Sequence, residues 1–195
     1  MNSAKRLPAI LFIAAALMTG CNSSSPKVIN DMSDASYQLV NQDSARVSFP
    51  ADFEGQPIIA AYIYTSCQSV CPAISANMKK VSQKIPSDRQ VQFVLISFDP
   101  KRDTPSRLRD YRKKFQLDPQ KFTLLTGDST TVSSLMDEIG IRTKMIPADS
   151  TDPDMDYMFN HTNQLNLFDS QGRIRGDYGG SMTPPKLIIK DFKKL

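Results

Sequence analysis

The chain has no tryptophan, a single histidine and only three cysteines among its 195 residues. One histidine excludes a multi-histidine metal site, and three cysteines exclude a four-thiolate zinc module or a disulfide-stapled scaffold. No apolar run reaches the roughly 20 residues that a membrane-spanning helix needs. The formal charge of +4 is too mild to signal nucleic-acid binding. No internal repeat is visible, so a solenoid is excluded. What is present is an ordinary globular composition, 40% hydrophobic and 23% charged, which suits one domain with a core plus a tether.

The first twenty residues read as an address. Lys5 and Arg6 form a positive start, Ile10 to Met18 a short apolar run, and "LMTGC" leads into Cys21 as in a bacterial lipobox, despite Pro8 in front and the less usual Met18. The alternative is an uncleaved signal anchor with an incidental cysteine. Residues 1–20 are therefore expected to be a signal peptide, with Cys21 the lipidated N-terminus of a flexible tether over 21–35. The domain would face the periplasm or extracytoplasmic space of a bacterial cell envelope. Removing Lys5 and Arg6 takes the formal charge from +4 to +2.

From residue 36 the pattern alternates. "YQLV" and "RVSF" predict a hairpin across "NQDSA". "PIIAAYIY" and "VQFVLISF" are continuous apolar runs typical of strands buried on both faces, and "FTLLTG" is a third strand. Between them lie a helix from Pro72 to about Ile85, with Ile74, Met78 and Val81 on one face, and a helix opened by Thr104 and Pro105. "STTVSSLMDEIG" is a helix closed by Gly140. After a stretch read as irregular, "NQLNLFD" and "GRIRGDY" pair across "SQG", and Thr183 caps a last helix. This layout predicts an α/β, thioredoxin-like domain over 36–195, a central mixed sheet flanked by helices with an N-terminal β-hairpin.

The chemistry concentrates in "YTSCQSVCP". Pro72 favours the first turn of a helix, which puts Cys71 at the cap and Cys67 in the turn before it. There the helix dipole and free N–H groups stabilise thiolates. Three residues between the cysteines still permit a disulfide, and they also let two sulfurs converge on one ion. A structural disulfide over so short a loop would stabilise little. The single His161 precedes a strand that would be central in this fold, and so would face the dithiol. Two thiolates and a neutral imidazole make a soft-to-borderline donor set: thiolate favours Cu(I), and imidazole suits copper in either state. The site would carry net −1 around Cu(I) and zero around Cu(II), and binding would displace thiol protons.

"YTSCQSVCP", "SFDPKRDTPSRLRDY", "LLTGD" and "HTNQLNLFDSQG" together resemble the Sco-type copper chaperones of cytochrome c oxidase assembly, in order and in spacing from about residue 36 to the end. The resemblance implies one copper ion on Cys67, Cys71 and His161, membrane attachment and an extracytoplasmic place. The implied partner is the copper-site subunit of the oxidase or another periplasmic copper or thiol protein, with the domain a monomer. Gln68 stands where many relatives have proline, and Asn160 where an aspartate often precedes the histidine. Asn22 argues, by the usual bacterial sorting rule, against inner-membrane retention, where an oxidase client would sit.

Other features have plainer readings. Asp99 and Asp103 in "DPKRDTP" serve capping and strand termination first, and orientation of a loop near the metal second. Arg107, Arg109, Arg112, Lys113 and Lys114 read as a solvated helix face rather than a docking surface. The nine methionines are mainly core filler, with Met155 and Met158 the candidates for auxiliary thioether ligands. Two functions compete: a metallochaperone, which needs His161, and a thiol–disulfide reductase using Cys67 and Cys71, which does not. A peroxidase is disfavoured because "AAYIYTSC" lacks the expected proline and threonine approach to a peroxidatic cysteine.

Overall fold

The computed structural model describes residues 25–148 and 156–195. Cys21, Met155 and the expected signal peptide lie outside them. The organising strands are β4 (Ile58–Ile63), β5 (Gln92–Ser97) and β6 (Phe122–Thr126), parallel neighbours whose β4 is buried at every position. Apolar side chains on both faces are what a sheet sandwiched between helices requires. The full sheet runs β1-β10-β9-β4-β5-β6-β2-β3. Here β1 is Asn30–Asp31, β2 Ser36–Asn41, β3 Arg46–Pro50, β9 Gln164–Phe168 and β10 Arg173–Gly179.

The helices follow their local signals. Helix α1 (Val70–Lys84) buries Ile74, Met78 and Val81, and Pro86 lies just past its end. In α2 (Pro105–Lys114) the Thr104 hydroxyl accepts the N–H of Arg107 at 3.4 Å, as an N-cap should. Asp128 caps α3 (Ser129–Ile139), and Gly140 closes it at φ 82°, a left-handed conformation that glycine adopts without steric cost. Helix α4 (Pro185–Phe192) packs Ile188, Ile189 and Phe192 into the core.

Four expectations are corrected. Helix α1 starts at Val70 with Ser69 as N-cap, so Cys71 lies inside the first turn rather than at the cap. Pro72 is tolerated there because the first N–H groups of a helix have no intrahelical acceptor. Thr183 does not cap α4; the cap position is Pro184, without a side-chain bond. Part of the expected tether belongs to the fold: Asn30 and Asp31 pair with Ile174 and Arg173, and Met32 is buried in the core. The stretch read as irregular contains a two-stranded antiparallel sheet, β7 (Thr143–Pro147) against β8 (Tyr157–His161).

Candidate metal centre

Cys67 follows the C-terminal end of β4 and Cys71 sits in the first turn of α1, where backbone N–H groups point outward. The Cys71 N–H donates to the Cys67 sulfur at 3.4 Å. Both are free cysteines; Cys71 has no solvent exposure and Cys67 retains 6%. Access to Cys67 is through an open groove of about 720 Å³ that it shares with Gln68, Pro72, Tyr111 and Phe115.

His161 ends β8, and its Nε2 lies 3.6 Å from the Cys71 sulfur. Its Nδ1 is 3.0 Å from the Thr162 carbonyl oxygen. A carbonyl only accepts, so Nδ1 carries the proton and the Nε2 lone pair faces the sulfurs. The three ligand atoms lie within 4.8 Å of one another, the only such cluster among the described residues. The imidazole is clamped by rings, with centroids 4.8 Å from Phe98 and 5.9 Å from Tyr64.

The two thiols are electrostatically unlike. The Cys71 S–H donates to Cys67 and holds the Cys67 thiol well below its ordinary value, against the cost of its burial; the Cys71 N–H adds to the effect. The same hydrogen bond, with burial, pushes Cys71 upward. The pair therefore rests as one thiolate, Cys67, beside one thiol, Cys71. Tyr64 is pushed up to about 12 by burial, so it stays a neutral phenol beside them.

Asp99 and Asp103 are not ligands here; they brace the ligand-bearing segments. The Asp103 carboxylate accepts the Thr65 N–H at 2.9 Å, the Thr65 hydroxyl at 2.5 Å and the Ser97 hydroxyl at 2.5 Å, which fixes the turn leading to Cys67. Asp99 pairs with Arg102 at 2.6 Å and accepts the Tyr157 hydroxyl at 2.8 Å, while Arg102 donates to the Tyr157 carbonyl at 2.9 Å. One short loop thus holds both the cysteine turn and the histidine strand.

Sequence reasoning missed Tyr64, Arg102 and Tyr157. The spacing of Tyr157, Phe159 and His161 at alternate positions was the available signal for β8, since a strand turns alternate side chains to one face. The same alternation corrects the auxiliary-ligand expectation for Met158. It lies on the opposite face of β8 from His161 and is 44% exposed. Of the basic residues on α2, Arg109 and Arg112 lie 3.5 Å and 3.9 Å from Asp43, the pairing of a surface face.

Comparison with known proteins decides the family. The SCO1/SenC family model matches residues 27–195. The chain belongs to the SCO1/SenC family. A SCO1 protein homolog of Bacillus subtilis is 28% identical over 80% of this chain and 79% of its own length. Among solved structures, Bradyrhizobium japonicum ScoI with copper bound superposes with a TM-score of 0.71 at 26% identity, covering 83% of this chain and 98% of that one. A SCO1/SenC family lipoprotein of Bacillus anthracis gives 0.74 at 29%, covering 88% and 99%. The fold is thioredoxin-like. Two sulfurs and a neutral imidazole nitrogen fit the preferences of copper, and with Cys67 already a thiolate only Cys71 must lose a proton.

Proposed function

We propose that this SCO1/SenC protein is a lipid-anchored, extracytoplasmic copper metallochaperone that holds one ion on Cys67, Cys71 and His161. The client would be the dinuclear copper site of cytochrome c oxidase. The observation that carries the reading is the convergence of the three donor atoms within 4.8 Å, with the imidazole tautomer set by Thr162. Copper bound in a relative of the same fold supports the choice of metal. The lipid anchor at Cys21 rests on the lipobox, with a lipoprotein among the similar structures as support. Among the described residues no helix is long and apolar enough to cross a membrane.

In this reading the protein supplies a poised thiolate, a buried second sulfur and a fixed imidazole, inside a shell of aromatic rings that limits water. A client thiolate arriving through the groove meets Cys67 first. The ion can then pass by stepwise exchange of sulfur ligands without release into solution. The deciding experiment is a copper titration of the reduced full chain against Cys67→Ser, Cys71→Ser and His161→Ala. A stoichiometry of one ion that collapses in each variant supports the proposal; unchanged affinity in His161→Ala would remove it.

A second reading, thiol–disulfide reduction of a partner's cysteines, is favoured by the inequality of the two thiols. The Cys67 thiolate, which lines the groove, attacks and the fully enclosed Cys71 resolves. Cys71→Ser should then trap a mixed disulfide through Cys67, and failure to trap one counts against it.

A further inference from the structure

The described chain begins beside its own end. The Ser25 hydroxyl donates to the Lys194 carbonyl at 2.8 Å, and Arg175 holds the Pro26 carbonyl through Nε at 2.7 Å. Cys21 precedes Ser25 by four peptide links, which span about 14 Å at full extension. An acyl chain on Cys21 therefore brings the C-terminal end of α4 to the bilayer surface.

That end of α4 is chemically suited to the position. Ile188, Ile189 and Phe192 are buried, while Lys186, Leu187, Lys190 and Lys193 are exposed along the opposite face. The one acid of the helix, Asp191, is turned aside, accepting from Tyr178 at 3.0 Å and pairing with Lys194 at 3.6 Å. Arg89, in the turn beyond the end of α1, lies over the Phe192 ring at 5.4 Å and adds a cation to the same end, beside Asp88. Lys190, Lys193 and Arg89 gather cations at this end, the composition that anionic headgroups attract.

We infer that the C-terminal end of α4, which runs alongside α1 in the same direction, seats on anionic lipid headgroups and turns the Cys67–Cys71–His161 cluster away from the membrane. The inference rests on the proposed lipidation of Cys21. Its geometry comes from α1, whose first turn carries Cys71 and whose last turn adjoins Phe192 and Lys193 through Pro86 and Arg89. The 15 residues of α1 separate the two ends by about 22 Å. The short tether and the cations at this end act together: the lipid confines the domain, and the charges choose which end rests on the surface. The metal centre is then presented outward, toward a client domain standing above the bilayer.

The test uses the lipidated full chain on vesicles of phosphatidylcholine, with and without phosphatidylglycerol. Flotation reports the anchor and an amine-acylating reagent reports exposure. Lys190 and Lys193 should label about fivefold more slowly when phosphatidylglycerol is present, and Lys113 and Lys114 on α2 should not change. High salt should erase the difference. Flotation with equal labelling on both vesicles, or protection of Lys113 and Lys114 instead, overturns the orientation alone. Failure to float on either vesicle overturns the lipid anchor, and the orientation with it.

Discussion

The Nε2 of His161 stands 3.6 Å from the sulfur of Cys71, across 90 residues of chain. The two reach each other because a single loop grips both of their supports. Asp103 takes the turn before Cys67, and Asp99 with Arg102 takes Tyr157 at the start of the histidine strand. The loop carries no donor atom to the cluster, yet it sets the distance between the donors.

His161→Ala should lower Cu(II) affinity by more than about 100-fold, since loss of a direct ligand exceeds the 10–100-fold typical of the groups that support one. The loss should appear in visible spectra and competition titrations. Both thiols should remain titratable with a thiol reagent. Loss of thiol reactivity as well would mean that the fold, rather than the ligand, had been removed.

Tyr157→Phe removes the hydroxyl that Asp99 accepts at 2.8 Å. It should cost about 1–3 kcal/mol in chemical denaturation, because Asp99 is left short of a donor. Copper affinity should fall roughly 10-fold through looser placement of His161. Arg102→Ala should be harsher, about 3–5 kcal/mol, since it strands a buried carboxylate. Equal effects of the two variants would argue against this division of labour.

Copper uptake should release about one thiol proton between pH 7 and 9, because Cys67 is held low and already ionised while Cys71 is held high. The apparent affinity should therefore rise about tenfold per pH unit, where two protonated thiols would give a hundredfold. Proton release measured in weakly buffered solution distinguishes one proton from two.

Burial pushes the Asp103 carboxyl above its ordinary value, although the Ser97 and Thr65 donors oppose the shift. The folded protein thus holds that proton more tightly than the unfolded chain. The linked stability is full below the ordinary carboxylate value of 3.8 and is lost as pH rises through the folded value. Asp169 has the opposite sign: burial is outweighed by Arg175 and Arg173, its value is lowered, and its contribution is lost as pH falls through the folded value. Denaturation of Asp103→Asn across acid pH should lack the first component and keep the second.

Much of the fold was legible because its signals are local. The apolar runs of β4 and β5, the Thr104 cap and Gly140 each state a structure within a few residues of chain. Strand β8 carried an alternation that went unread, but β7 and its pairing with β8 were not legible. Every residue of β7 is exposed, so no buried face imposes a pattern, and Met, Lys and Asn give little strand signal. Residues 29–35 were misread for a similar reason: a polar segment was drawn into the fold by pairing with β10, a partner distant in sequence.

The sequence by itself determined the donor inventory: two cysteines four positions apart at the mouth of a helix, and one histidine with no competitor. It also determined the order of the central strands β4, β5 and β6 and of the helices, since hydrophobic period and capping are properties of neighbours. Only the tertiary structure decided which cysteine is the thiolate, which imidazole nitrogen faces it, and that Asp99 and Asp103 brace the donors. Burial, proton sharing and hydrogen-bond partners depend on atoms brought together from distant parts of the chain, and no local pattern encodes them.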